Sequence, residues 1–171
     1  MLPGIGIFGI EESNSILIKK FQENSFRIYG ICGPDISKLT PIANNFNIEI
    51  VTSKVEDLLL HTAINLIVFV KYIPNFADHV CKALTVAGKH VICCSGFAVS
   101  AKQGQDMYEA SLKYPTLLSL IENPLRFSTN FSVAKSLMAK KAIGQVYINN
   151  FLPSFYTLIP LLKRLLYFQT I

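Results

Sequence analysis

The stretch LIVFVKYIPNFADHVCKALTVAGKHVICC, residues 66–94, contains two short apolar runs separated by a segment of helical length. The runs at 66–70 and 90–93 are almost continuously apolar, which is typical of strands in a parallel sheet covered by helices on both faces. Pro74 lies early in the intervening segment and Gly88 follows its end, the usual positions of these two residues around a helix. The stretch therefore predicts two parallel strands joined by a helix.

The same alternation of apolar runs and helix-like segments extends over residues 1–122. Ser53 and Glu56 have the spacing of a capping box ahead of three leucines, which predicts the start of a helix. The pattern as a whole predicts an α/β fold of the Rossmann type, with a doubly wound, mostly parallel sheet. The six predicted strands are residues 5–8, 26–32, 49–52, 66–70, 90–93 and 117–121.

The composition indicates a chain that can bury a large core. Of its 171 residues, 51% are hydrophobic and 16% are charged, and this length holds one domain, alone or with part of a second. The basic residues behind the net charge of +5 are scattered, so no nucleic-acid surface is predicted.

The four cysteines show neither metal-ligand spacing nor a disulfide pattern, which favours reduced thiols in a cytoplasmic protein without a metal site. No apolar run reaches the length of a transmembrane span.

The glycines near the amino terminus match the dinucleotide fingerprint GxGxxG, but in the wrong register. Gly4 and Gly6 fall inside the first predicted strand, whereas the fingerprint begins where that strand ends. Read from Gly9, the sequence is GIEESN, with Glu11 and Asn14 in place of the second and third glycines. The fingerprint is therefore degenerate.

Two carboxylates, Glu11 and Glu12, stand where a pyrophosphate would bind. Like charges about 4 Å apart at the protein surface weaken binding by roughly a thousandfold. The alternative interpretation is structural, because acidic residues also favour the positive end of a helix dipole.

After the second predicted strand, Gly33 and Asp35 occupy a region where an acidic residue often binds the adenosine ribose. Asp35 also suits a turn after Gly33 and Pro34, and both interpretations stay open. The sequence predicts a degenerate nucleotide groove at the carboxyl ends of the strands. Its candidate residues are Gly9, Ile10, Ser13, Asn14, Gly33, Asp35, Ile73 and Pro74.

Four sequence segments have the order and spacing found in a known family. They are YIPNFADHVCKAL (72–84), AGKHVICCSG (87–96), NPLRF (123–127) and AIGQV (142–146). Over about residues 1–147 the chain resembles the glucose-fructose oxidoreductase / inositol dehydrogenase family, and within it the animal glucose-fructose oxidoreductase domain-containing branch. The resemblance implies NAD or NADP as cofactor. It also places Ser95, between Cys94 and Gly96, at the position of the family's substrate-binding lysine. A neutral, short hydroxyl cannot replace that cation, so a catalytically inactive, oxidoreductase-like chain is expected.

The resemblance also implies a second α/β domain, most of which would lie beyond this chain. Residues 123–150 are interpreted as the crossover helix, with a helix at 131–141 and a strand at 146–151, and the start of that second domain. Residues 151–171 form an apolar tail that diverges from the family. We expect a truncated product, such as an alternative isoform. The exposed apolar tail predicts self-association or docking on a full-length relative or a membrane surface.

Two hypotheses about function remain. The first is a NAD(P)-binding Rossmann domain of an oxidoreductase family with degenerate nucleotide binding and no catalysis. The alternative is a non-enzymatic interaction protein or matrix-related structural protein, which acts through a full-length relative or another partner. By resemblance to the animal branch, the alternative includes a secreted, extracellular location.

Overall fold

The computed structural model of the chain describes residues 3–71, 73, 75–94, 96, 98–122, 129–140 and 142. The chain divides into two units, residues 1–122 and residues 123–171. The first unit contains one six-stranded sheet with the order β3-β2-β1-β4-β5-β6, and every strand pairing in it is parallel. Its strands are β1 (Ile5–Phe8), β2 (Ile28–Cys32), β3 (Ile50–Thr52), β4 (Leu66–Phe69), β5 (His90–Cys93) and β6 (Ser119–Ile121).

Helices connect successive strands, as the sequence predicts for a doubly wound fold. A short 3-10 turn (Glu12–Asn14) precedes the first of them. The helices of the first unit are α1 (Ile16–Glu23), α2 (Ile36–Phe46), α3 (Val55–Leu60), α4 (Phe76–Thr85) and α5 (Ala101–Lys113). The Rossmann-type arrangement predicted from the sequence is confirmed.

Hydrophobic cores form on both faces of the sheet, which explains why the strands read as continuous apolar runs. On one face, alternate residues of the central strands, such as Ile7 and Val68, pack with α1 and α2. On the other face, Phe69 packs with α3, α4 and α5. The ring of Phe69 meets that of Phe76 edge to face at a centroid distance of 5.4 Å. Full burial of one such side chain contributes about 1.5–3 kcal/mol, so these rings hold α4 on the sheet.

The start of α3 differs from the prediction. Lys54 is the N-cap residue and no capping bond from its side chain is present, so the predicted Ser53–Glu56 capping box is wrong. The hydroxyl of Thr52 instead accepts a hydrogen bond from the Lys54 N–H at 3.0 Å and donates one to the carboxylate of Asp57. Thr52 is buried at the end of β3, and this position lets its hydroxyl reach the helix start.

Strand β2 begins two residues later than predicted, at Ile28 rather than at residue 26. The Phe26 N–H donates to the carbonyl of Phe21 at 3.0 Å, and the two rings meet edge to face at 5.8 Å. Phe26 therefore closes the end of α1 instead of extending the strand.

Helix α6 (Thr129–Ala139) belongs to the second unit and corresponds to the helix predicted at 131–141. Its apolar residues Val133, Leu137 and Met138 are exposed. The predicted strand at 146–151 and the tail at 151–171 lie outside the described residues. In the part of the chain that the structure describes, we find no helix with the length and apolar character needed to cross a membrane.

Candidate nucleotide crevice

The carboxyl ends of β1 and β4 lie side by side at the centre of the sheet. From β1 the chain leads to β2 on one side, and from β4 it leads to β5 on the other. This reversal of direction is the topological switch point at which ligands bind in doubly wound sheets. Two backbone hydrogen bonds prolong the ladder past the strand ends, from Gly9 N–H to Cys32 O and from Val70 N–H to Phe8 O, both at 2.9 Å. The residues that follow Gly9 and Val70 therefore form the two sides of the crevice.

A glycine is strongly favoured at position 9, where the first strand ends. Its φ of +80° lies in the left-handed region, which side chains with a Cβ rarely adopt. A Cβ at Gly9 would also lie 2.9 Å from Lys71 Cβ and 3.1 Å from Lys71 N. The glycine thus allows the two connections to approach closely. Gly4, in contrast, precedes β1 by one residue instead of lying inside the strand as predicted.

An ion pair joins the two sides of the crevice. The Lys71 Nζ donates to Glu11 Oε1 at 2.6 Å, and the side chains are 59% and 56% exposed. The hydrogen bond and the charge of Lys71 lower the pKa of Glu11, with a smaller contribution from the charge of Lys38. Glu11 therefore stays ionised at neutral pH and its charge is compensated, unlike the unpaired carboxylate that the sequence suggests.

The residues after Glu11 form the 3-10 turn and then α1. Asn14 N–H donates to Glu11 O at 3.1 Å, as expected of this turn. Ser13 and Asn14 bond to each other through Oγ and Oδ1 at 3.1 Å. Ile10 is only 3% exposed and packs in the core between the sheet and helices α1 and α2. Ser13 and Asn14 thus lie at the crevice, whereas the side chain of Ile10 is turned into the protein.

On the β2 side, Gly33 continues the ladder, with its N–H donating to Thr52 O at 3.1 Å. Asp35 is the N-cap of α2, and its Oδ1 accepts from Ser37 N at 3.1 Å and from Ser37 Oγ at 2.6 Å. The Ser37 hydrogen bond is the main cause that lowers the pKa of Asp35, with help from Lys38. Asp35 is thus engaged in capping, and its predicted contact with a ribose remains a prediction.

On the β4 side, Ile73 is half-buried and packs against the core beneath α4. Its carbonyl accepts the Phe76 N–H at 3.1 Å, at the start of that helix. Pro74 and Ser95 lie outside the described residues, so their predicted positions in the groove and at the family lysine stay predictions.

At the end of β5, Cys94 N–H donates to Phe69 O at 2.8 Å, which brings Cys94 beside the end of β4. Burial, reinforced by a hydrogen bond and the negative charge of Glu122, raises the pKa of the Cys94 thiol to about 12. Burial likewise raises the pKa values of Cys32 and Cys93 to about 12. These three thiols are therefore protonated at neutral pH and are poor nucleophiles.

Two residues near the crevice escape the sequence analysis. One is Lys71, whose importance depends on β4 being the neighbour of β1. The other is His79 on α4, which stacks on Phe8 at a centroid distance of 6.4 Å and whose buried Nδ1 has no hydrogen-bond partner in the described part of the protein. Burial is the main cause that lowers the pKa of His79. The signal that could have identified Lys71 is its charge, which lies only two residues after the end of the central strand β4.

A separate open groove lies at the opposite, amino-terminal edge of the sheet. It has a volume of about 380 Å³ and is lined by the ends of α1 and α2 and the start of β2. None of the predicted site residues lines it. Among the described residues, no three His, Cys, Asp or Glu side chains form a group suited to hold a metal ion.

Comparison with known proteins assigns the chain to a family. Residues 3–122 match the oxidoreductase family with the NAD-binding Rossmann fold, the GFO/IDH/MocA family. The chain belongs to this family. Glucose-fructose oxidoreductase domain-containing protein 2 of Bos taurus is 33% identical to this chain, and that of Homo sapiens is 32% identical. Each alignment spans 148 residues, which are 86% of this chain and 38% of the relative. This chain therefore spans well under half the length of these relatives.

Solved structures of inositol dehydrogenases share the fold. The scyllo-inositol dehydrogenase of Lactobacillus casei, with bound NAD(H) and scyllo-inositol, superposes with a TM-score of 0.72 at 19% identity, covering 85% of this chain and 43% of that one. The myo-inositol 2-dehydrogenase of Lactobacillus plantarum gives 0.73 at 16% identity, covering 85% of this chain and 43% of that one. At such identities the similarity establishes the Rossmann-like fold.

Proposed function

We propose that this chain is a NAD(P)-binding Rossmann domain of its oxidoreductase family in which dinucleotide binding is weak and hydride transfer is absent. The observation that carries the proposal is the Glu11–Lys71 ion pair across the switch-point crevice. NAD or NADP is the cofactor class by family resemblance.

Weak binding follows from the side chains that replace the fingerprint glycines. A glycine at the second position lets the backbone approach the pyrophosphate, but Glu11 places there a carboxylate engaged by Lys71. Asn14 replaces the third glycine, which serves close packing of the helix on the strand. To bind at this position, a pyrophosphate must either break the Glu11–Lys71 ion pair or stay farther from the backbone than the glycine would allow.

Loss of catalysis is proposed on the residues available beside β5. Ser95 replaces the substrate-binding lysine by resemblance, and a serine hydroxyl carries no positive charge. The adjacent Cys94 thiol has its pKa raised to about 12, so it supplies neither a thiolate nor a base at neutral pH.

Calorimetric titration of the whole 171-residue chain with NAD⁺, NADH and NADP⁺ tests the proposal. We expect dissociation constants weaker than about 1 mM and no cofactor reduction with sugars or inositols. The Ser95→Lys variant serves as a control and is expected to remain inactive, because the cofactor site is unchanged. Micromolar binding by the unmodified chain, or turnover by this single variant, would contradict the proposal.

A second candidate function is an interaction protein, and the edge of the sheet favours it. Within residues 3–122, β6 pairs only with β5, so its outer edge has no strand partner among the described residues. Exposed strand edges are common sites of protein association. The proposed partners are a second copy of this chain or a full-length relative, in the cytoplasm or, by family resemblance, outside the cell.

A further inference from the structure

The Glu11–Lys71 ion pair links two connections that are far apart in sequence. Glu11 follows β1 and Lys71 follows β4, and the two residues are 60 positions apart. Their atoms Oε1 and Nζ are 2.6 Å apart. A lysine ammonium at the mouth of a dinucleotide crevice is a natural donor to phosphate oxygens, and a carboxylate oxygen is chemically the closest protein substitute for them.

The backbone of Lys71 is held in place while its ammonium is free to move. The backbone of Lys71 packs closely on Gly9: a Cβ added to Gly9 would lie only 2.9 Å from Lys71 Cβ. The side chain beyond Cβ is largely exposed, as is that of Glu11. Lys71 can therefore exchange one oxygen partner for another without any movement of β1 or β4.

A second cation, on the nearby helix α2, is also engaged by a carboxylate of the chain itself. Lys38 Nζ lies 3.5 Å from Asp35 Oδ2, and its charge acts on Glu11 as well. Lys71 and Lys38 are thus both compensated internally. A phosphate group that enters must compete with these carboxylates for the cations.

We propose that Lys71 is the phosphate-binding cation of this crevice and that Glu11 is a built-in competitor that occupies it in the free protein. The inference rests on the proposed function, because it accounts for one part of the weak binding of the dinucleotide. The ligand class is a pyrophosphate-containing nucleotide. Glu11 sets the affinity through its contact with Lys71.

The test is a double-mutant cycle in the whole chain with Glu11→Gln, Lys71→Gln and the double variant. The probes are NAD⁺ and, separately, inorganic pyrophosphate, at about 50 mM salt, where screening is moderate. We expect Glu11→Gln to tighten binding by about fivefold, the upper range for an exposed ion pair. Lys71→Gln should weaken binding by a similar factor, whereas Lys71→Arg should retain it within about twofold because the cation is kept.

The combination separates competition from simple repulsion. If Glu11 acts by occupying Lys71, the gain from Glu11→Gln is at least about threefold smaller in the Lys71→Gln background, because the ammonium that Glu11 occupies is then absent. If Glu11 only repels phosphate, the two gains are equal. Equal gains would overturn the proposal.

Glu23→Gln is the matched control. Glu23 pairs with Lys20 at 2.7 Å on the exposed surface of α1, so this variant makes the same change in net charge outside the crevice. We expect its binding to equal that of the unmodified chain. An equal gain from Glu23→Gln would show a general charge effect and overturn the inference. Thermal unfolding of each variant verifies that the exposed substitutions leave the fold intact.

The outcomes also separate this inference from the proposed function. Micromolar affinity of the unmodified chain contradicts weak binding, but a coupled gain from Glu11→Gln still supports the role of Lys71. Failure of Glu11→Gln to bind NAD⁺ or pyrophosphate at concentrations up to about 10 mM overturns the role of Lys71, because the released cation then does not hold phosphate.

Discussion

Gly9 decides the local geometry of the crevice through two independent constraints. Its backbone has a φ of +80°, and its missing Cβ makes room for Lys71. Either constraint alone favours glycine. Together they bring the two sides of the crevice close enough for the Glu11–Lys71 pair to form.

We predict that Gly9→Ala lowers the free energy of unfolding by about 2–3 kcal/mol, since both the left-handed conformation and the contact with Lys71 oppose a Cβ. Gly88→Ala is the matched control, because Gly88 also has a positive φ, +63°, but no atom lies within 4 Å of its added Cβ. The control should cost only about 1 kcal/mol. Denaturant unfolding measures both, and equal losses would show that the Lys71 contact is not a constraint.

The charge of Glu11 illustrates why single residues are misjudged from sequence. If Glu11 is treated as an isolated carboxylate, it is expected to repel a pyrophosphate strongly. In the structure Lys71 compensates it, so the expected effect falls from roughly a thousandfold to about the fivefold of an exposed ion pair. The direction of the prediction survives, but its size and its mechanism change.

At the scale of the element, the start of α3 shows how the end of one strand caps the next helix. The Thr52 hydroxyl accepts from Lys54 N–H and donates to Asp57. Ser53 and Glu56, which have the spacing of a capping box, do not form it. The buried position of Thr52 makes its hydrogen bonds more valuable than those of an exposed cap.

We therefore predict opposite results at two adjacent positions. Thr52→Val keeps the shape of the side chain but removes both hydrogen bonds, and it should lower the free energy of unfolding by about 1–2 kcal/mol. Ser53→Ala should change it by less than about 0.5 kcal/mol. Chemical denaturation of the two variants provides the measurement. If Ser53→Ala lowered the free energy of unfolding more than Thr52→Val, Ser53 would be the residue that caps α3, which would contradict the structure.

At the scale of the whole molecule, residues 151–171 contain thirteen large apolar side chains, far more than a solvent-exposed segment of this length usually carries. We predict that the whole chain self-associates, because this many apolar side chains drive association wherever they are left in contact with water. Deleting residues 151–171 should raise the monomer fraction in light scattering. A whole chain that is already monomeric, together with a deletion that unfolds it, would instead make the tail part of a core.

The fold was more accessible from sequence than the site. Each strand lies within its predicted run, although β2 begins at Ile28 because Phe26 packs on Phe21. Strand and helix patterns are local, so apolar periodicity reports them directly. Asp35 shows the limit, since the same carboxylate suits a ribose contact or a helix cap. Only the geometry shows that Ser37 occupies it.

The sequence by itself determined the alternation of strands and helices, the doubly wound class and the degenerate fingerprint, because each depends on residues close together in the chain. The tertiary structure decided which side chains meet. Strand order places β4 beside β1, and only this neighbourhood joins Glu11 to Lys71 across 60 positions of sequence. A contact of this kind depends on how the sheet is assembled, and no local pattern of apolar and polar residues encodes it.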